Sequence, residues 1–351
     1  MDEPAGLGNI FRRMIAATGP ISVAHFMAES NARYYAAKDP LGGEGDFVTA
    51  PEISQMFGEL IGLWLTEMWI REGRSEPVHY VELGPGRGTL ARDALRAMKR
   101  YDLVPLAHFV ETSAALKDLQ HELVPGAFWH DDLSTIPVDG PVLVIANEFF
   151  DALPVRQLVK TSQGWREMMV GVEGDRFRLV AGTQPMDPAV PEPRRAAPEG
   201  TVIETSPAAA AVVFEVAGRL VEQGGAALFI DYGHAEPRSG STLQAVRAHR
   251  KLDPFEAPGE ADLSAHVDFA ALAAVAQSLD ARWLGTVTQG EWLFALGIES
   301  RADALAEFAP QHREALMEAK ERLTSPKQMG TLFKVMGLAA PHWTGGAGFQ
   351  Q

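Results

Sequence analysis

The stretch His79-Tyr80-Val81-Glu82-Leu83-Gly84-Pro85-Gly86-Arg87-Gly88-Thr89-Leu90 constrains the fold more than any other part of the chain. A short apolar run gives way to glycines at alternate positions and then to apolar residues at helical spacing, so it reads as buried strand, tight turn and helix start. That order belongs to sheets in which parallel strands alternate with crossover helices. The texture downstream agrees: apolar segments at 78–83, 106–111, 142–146, 226–230, 282–287 and 331–336 predict strands. Helical spacing at 90–99, 114–123, 208–223 and 265–278 predicts the crossovers. The expected architecture is therefore α/β, with a mostly parallel, Rossmann-like sheet.

Two kinds of addition interrupt the rhythm. From 22 to 69 apolar residues such as Phe57, Leu60, Ile61, Trp64, Leu65 and Met68 recur at three and four positions, predicting an N-terminal helical cap, and a glycine-rich loop at 42–51 lies between its helices. From 155 to 181 alternation in Leu158, Trp165, Met169, Phe177 and Leu179, with turn residues Gln163-Gly164 and Gly174-Asp175, predicts an antiparallel meander, and 186–200 is a proline-rich loop. At 351 residues the chain exceeds the usual single domain. The expected divisions are 1–76 for the cap and substrate region, 77–154 for the cofactor half of the sheet, 155–205 for the inserted meander and 206–351 for the second half.

Charge and composition narrow the function classes. Lys+Arg of 31 against Asp+Glu of 46 gives a formal charge of -15. This speaks against nucleic acid, whose phosphates need clustered cations, and is compatible with a basic partner. Cysteine is absent, which removes disulfides, a thiolate nucleophile and a cysteine metal site. No run of about eighteen apolar residues predicts membrane insertion. Residues 1–19 lack the apolar core of a signal peptide, so a cytoplasmic location is the default, with the mitochondrial matrix requiring an import signal that is not recognisable. Assembly is left open between monomer and homodimer.

The glycine turn is the candidate cofactor site. Gly84, Gly86 and Gly88, with Pro85, let backbone approach a ligand closely, and the following helix offers free amides. The spacing is G-P-G-R-G rather than G-x-G-x-x-G, and Glu82 precedes it, a poor neighbour for phosphates but a good one for a sulfonium or an amino group. Glu111, followed by Thr112 and Ser113, ends the next strand about twenty residues later, where a carboxylate can accept ribose hydroxyls. Asp131, Asp132 and Leu133 then supply an acid for the exocyclic amine of adenine, Asp132 ahead of Asp131. Singly, these are also a common turn, a solvated strand end and a helix cap. Together and in this order they point to an adenosyl cofactor, S-adenosylmethionine ahead of NAD.

The candidate transfer site lies at the end of the strand at 142–146, where Asn147, Glu148 and Asp151 should line the cleft of a parallel sheet. Helix capping with Phe149 and Phe150 as core is the alternative. Methyl transfer needs alignment and exclusion of water, not a metal. An arginine acceptor needs fixed carboxylates, Glu148 first and Asp151 second. Asp231, Tyr232 and His234 end another strand at the same edge, where Asp231 and Tyr232 could contact the acceptor; His234 and His266 read first as structural or solvated histidines, and Asp262 and Ser264 as a helix start.

Five segments carry a resemblance that spans nearly the whole chain: residues 45–58 (Gly45-Asp46-Phe47-Val48-Thr49-Ala50-Pro51-Glu52-Ile53-Ser54-Gln55-Met56-Phe57-Gly58), Glu82–Gly88, Asn147–Pro154, Asp231-Tyr232-Gly233 and Ala261–Phe269. In these the sequence resembles the MidA-like methyltransferases, whose mitochondrial members act as complex I assembly factors. The resemblance implies a class I methyltransferase fold and, for the mitochondrial members, symmetric dimethylation of an arginine on a complex I subunit. It makes Gly84, Gly86 and Gly88 cofactor-turn residues and Glu148 the guanidinium holder. It sets 47–58 over the cofactor or along the acceptor channel. The substrate contacts expected from the two readings together are Phe47, Pro51, Glu52, Asp231, Tyr232 and His266. An NAD-dependent oxidoreductase and a non-catalytic assembly chaperone are the rival functions.

Overall fold

The computed structural model describes residues 6–37, 49–247 and 250–349. These form two compact units, each assembled from separated stretches of the chain.

The larger unit comprises residues 41–150, 211–235 and 267–351. Its sheet has eight strands: β1 (His79–Leu83), β2 (Leu106–Val110), β3 (Phe128–His130), β4 (Val142–Asn147), β5 (Gly225–His234), β6 (Val267–Asp268), β7 (Arg282–Thr288) and β8 (Phe333–Ala339). The order is β7-β8-β5-β4-β1-β2-β3, with β6 beside β5. All pairings from β5 to β3 are parallel, whereas β8 runs antiparallel between β5 and β7. The order reverses between β1 and β4, which opens a crevice at the carboxyl ends of those two strands. β1 and β4 are buried almost throughout, and in β4 this is why Val142–Ala146 is a continuous apolar run rather than an alternating one.

The helices of this unit are α1 (Ala50–Ile53), α2 (Gln55–Arg71), α3 (Thr89–Lys99), α4 (Ala114–Leu123), α5 (Pro207–Gln223, in this unit from Ala211 onward) and α6 (Phe269–Gln277), followed by others between β7 and β8. The apolar residues of α2 foreseen as core, Phe57, Leu60, Ile61, Trp64, Leu65 and Met68, are all buried with Tyr80, Phe109 and Leu228. Gly62 of α2 faces Ala94 of α3 so closely that a Cβ there would lie 2.4 Å from the Ala94 carbonyl oxygen.

The smaller unit comprises residues 1–40, 151–210 and 236–266. Its helices Leu7–Thr18 and Val23–Ala37 accompany a five-stranded antiparallel sheet, in which Arg156–Thr161, Gly164–Glu173 and Arg176–Pro185 form the meander that alternation anticipated. A three-stranded sheet of Gln244–Arg247, Arg250–Leu252 and Asp262–Ser264 completes it. Phe11, Phe26, Val170 and Phe177 form its core.

The units cut across the expected divisions. Residues 6–37 and 49–76, read together as one cap, fall in different units, and the meander shares its unit with the N-terminal helices. Two element boundaries also shift. Residues Met329–Leu332 are a short helix before β8, and the helix expected from 265 starts at Phe269 because Val267–Asp268 pairs with β5. Among the described residues no helix is long and apolar enough to cross a membrane.

Candidate active site

Thr49, Pro51, Glu52, Glu82, Gly84, Pro85, Gly86, Arg87, Thr89, Leu90, Asn147 and Glu148 line the crevice at the reversal point. Gly84, Gly86 and Gly88 have φ of 60°, 55° and 88°, left-handed values that a residue with a Cβ rarely adopts. Gly84 is closed in further, because a Cβ there would stand 2.9 Å from the ring of Phe149. The turn is anchored by Gly84 N–H donating to the Val110 carbonyl (3.0 Å) and Gly88 N–H to that of Pro85 (2.8 Å).

Glu82 is buried, and the Tyr80 hydroxyl two residues earlier on the same strand face donates to its Oε2 (2.5 Å). Desolvation raises the Glu82 carboxyl to about 8, against the opposing pull of that bond. Glu148 follows β4 at φ +50°, a left-handed backbone uncommon outside glycine. Its Oε1 accepts from Ala50 N–H (3.0 Å) and the Asn147 amide (3.3 Å). Burial of this carboxyl raises it to about 7, while these two bonds and the charge of Arg322 act the other way.

Asn147 Oδ1 is buried and has no hydrogen-bond partner among the described residues. The crevice therefore offers three carboxyls and a vacant carbonyl acceptor, against the single guanidinium of Arg87 among its lining residues. Such a set suits a cation, because every unpaired buried acceptor gains from an N–H donor or a positive charge.

Glu52 of α1 accepts from the Thr89 hydroxyl at the start of α3 (2.5 Å), which ties the segment before α2 to the glycine turn. Pro51 and Glu52 thus reach the crevice, while Phe47 lies outside the described residues.

Glu111 closes the neighbouring strand end, 9% exposed. Its Oε1 accepts from Ser113 N–H (2.7 Å), and its own N–H donates to the His130 carbonyl (3.0 Å). Ser113 also caps α4, and Thr112 beside it is exposed. Asp131 and Asp132 lie one strand further. Asp131 is solvated and paired with Lys117 (3.3 Å). Asp132 caps the turn that follows, its Oδ1 accepting from Ser134 N–H and Oγ, which holds its carboxyl below the usual range; Leu133 is buried beneath.

Asp231 does not present itself as a surface contact. It is fully buried, and its carboxylate accepts from the backbone N–H groups of Phe149 (3.1 Å), Phe150 (2.9 Å) and Tyr232 (2.9 Å). It therefore organises the turn that carries Glu148. Tyr232 packs edge-on against Phe333. Asp151 and His266 belong to the smaller unit. There Asp151 is buried and its carbonyl accepts from Ala265 N–H, while His266 N–H donates to the Thr242 hydroxyl.

Residues 60–287 match the family described as "Putative S-adenosyl-L-methionine-dependent methyltransferase". The chain belongs to this family. It is 37% identical to the mitochondrial protein arginine methyltransferase NDUFAF7 homolog of Drosophila melanogaster, over 95% of this chain and 84% of that one. To the NDUFAF7 arginine methyltransferase of Homo sapiens it is 36% identical, over 93% and 82%. A Burkholderia thailandensis protein crystallised with S-adenosyl-homocysteine shares the fold at a TM-score of 0.83 and 28% identity, covering 97% of this chain and 93% of that one. The fold is thus that of a class I methyltransferase, and S-adenosylmethionine is its methyl donor. These matches favour neither the nicotinamide-dependent oxidoreductase nor the non-catalytic chaperone.

The motifs at Glu82–Gly88 and Asn147–Glu148 were legible in the sequence and meet in one crevice. Thr49, Arg87, Thr89 and the Ala50 amide were not singled out. Glu52 and Thr89 lie 37 positions apart, and only their shared hydrogen bond reveals the link.

Proposed function

We propose that the chain methylates an arginine side chain of a protein, and that Glu148 and Asn147 hold the guanidinium. The observation that carries this reading is the acceptor-rich edge beside the glycine turn, with Asn147 Oδ1 buried and, among the described residues, unpartnered next to the Glu148 carboxyl. A guanidinium is planar, donor-only and positive, so it satisfies both acceptors at once. The names of the relatives support the same acceptor class.

On this reading the donor's amino-acid end rests on Gly84, Pro85, Gly86 and Gly88 beside Glu82. Glu111, with Thr112 and Ser113 at its side, takes the ribose, and Asp132, Asp131 and Leu133 border the adenine. When bound, S-adenosylmethionine supplies an electrophilic methyl carbon. Glu148 keeps the guanidinium flat and takes the proton that the methylated nitrogen sheds. Its raised pKa, about 7, matches that role near neutrality. Asp231 is a positioning residue for Glu148 rather than a substrate contact. Pro51 and Glu52 border the acceptor, and Tyr232 is a further candidate for the acceptor path. The full acceptor we propose is a subunit of the respiratory complex I type, met in the bacterial cytoplasm.

The test is labelled S-adenosylmethionine added to extract from cells lacking this protein, with mass spectrometry of the products. Methylarginine in protein that forms with the wild type and not with Glu148→Gln supports the reading. Label confined to lysine or to small molecules overturns it.

A further inference from the structure

We infer that Gln120 is a positioning residue for the methyl donor, joining the glycine turn to the carboxylate assigned to the ribose. Gln120 lies on α4, is fully buried, and was not among the residues that motif reading selected. Its Nε2 donates to the Gly86 carbonyl (2.7 Å) and to Glu111 Oε2 (3.3 Å), while its Oε1 accepts from the indole N–H of Trp129 on β3 (2.8 Å).

One amide thus ties three elements of the cofactor edge. The indole is a donor only, so it fixes which end of the amide is oxygen and directs the NH2 toward Gly86 and Glu111. Trp129 is itself held by the His121 ring, 3.7 Å away between centroids. The two oxygens of Glu111 then each receive one protein N–H, from Ser113 and from Gln120. This fixes the carboxylate plane and leaves the remaining lone pairs for hydroxyls. Gly88 packs against the same residue, since a Cβ there would be 3.5 Å from Gln120 Cα.

The demand is for an amide in particular. A carboxylate at 120 would still accept from Trp129 but would face Glu111 and the Gly86 carbonyl with no proton between them. A methionine would fill the space and remove the bond that each of the three partners makes to residue 120.

The inference rests on Glu111 as the ribose contact, so the test separates the two. S-adenosylhomocysteine and its 2′-deoxy analogue are titrated calorimetrically into wild type, Gln120→Glu, Gln120→Met and Glu111→Gln, with thermal unfolding as the check on folding. We expect both Gln120 variants to bind S-adenosylhomocysteine at least about tenfold more weakly and to lose the preference for the ribose hydroxyl. Gln120→Glu should regain affinity at mildly acidic pH, where one proton is shared between residues 120 and 111, and Gln120→Met should not. Wild-type affinity and preference in both Gln120 variants, with Glu111→Gln impaired, overturn the role of Gln120. Unimpaired Glu111→Gln overturns the ribose assignment instead. Should the Gln120 variants fail to fold, Trp129→Phe, which only frees the amide to turn over, carries the test: about threefold weaker binding supports the role and unchanged binding overturns it.

Discussion

Glu148 occupies a backbone conformation that costs a residue with a side chain on the order of 1 kcal/mol, and the surroundings hold it there. Its own N–H donates to the Ile230 carbonyl, and the next two N–H groups both point at Asp231. Asp231→Asn places an NH2 opposite those donors or leaves them to one carbonyl. We expect it to lower stability by about 1–3 kcal/mol and activity more than donor affinity, measured by unfolding and by titration with S-adenosylhomocysteine. The working form of Glu148 is the carboxylate, and its carboxyl is raised to about 7. At subsaturating substrate, methyl transfer should therefore rise with pH through about 7, and Glu148→Gln should be flat as well as slow, which a profile of kcat/KM against pH resolves. At the turn, Gly86→Val asks a β-branched residue to hold a φ of 55° and should abolish S-adenosylhomocysteine binding in calorimetry.

Among the elements, β1, β2 and β3 share an unusual ladder. His79 Nδ1 meets His108 Nε2 (3.0 Å), His108 Nδ1 meets His130 Nε2 (3.0 Å), and the ends bond to Asp139 (2.9 Å) and the Thr135 hydroxyl (2.7 Å). With Asp139 accepting from His79, each neutral ring can donate from Nε2 and accept at Nδ1 along the whole line. A proton added in the middle breaks that pattern. Burial and the neighbouring His79 and His130 lower His108 to about 4, with Asp139 opposing; burial and Arg219 lower His130, with Asp132 opposing. Since the folded pKa is below the unfolded one, the stabilisation is complete above about 6.5 and is lost as pH falls toward 4. We expect a loss on the order of 2 kcal/mol over that range after allowance for solvent screening, and His108→Phe should remove much of it in unfolding curves recorded against pH. The α2–α3 contact carries a second test. Gly62→Ala drives a methyl into the Ala94 carbonyl and should cost about 1–3 kcal/mol in thermal unfolding with S-adenosylhomocysteine affinity kept.

For the molecule as a whole, the pH dependence of folding and of ligand binding oppose each other. Glu82 and Glu148 have pKa values raised by burial, so the folded state keeps protons that the unfolded chain sheds above about 4.5, and the contribution of these two carboxyls to stability falls as pH rises toward 7 and 8, against that of the histidine ladder. A cationic ligand in the crevice relieves that cost. The thermal stabilisation given by S-adenosylmethionine should accordingly grow from mildly acidic to mildly alkaline pH, and a stabilisation that shrinks over that range would place the sulfonium away from Glu82 and Glu148.

The sequence by itself determined the α/β sheet, six of its eight strands, the glycine turn and the residues after β4. Each of these is a local property: alternate glycines demand left-handed backbone, continuous apolar runs demand burial on both faces, and helical spacing demands one covered side. Only the tertiary structure decided that Ala50 and Asp231 hold the turn of Glu148, that Gln120 joins Gly86 to Glu111, and that residues 6–37 and 49–76 enter different compact units. The partners in those bonds stand from 9 to 98 positions apart. A hydrogen bond is set by position within a few tenths of an ångström and by direction, and spacing along a chain specifies neither until the strands and helices have packed.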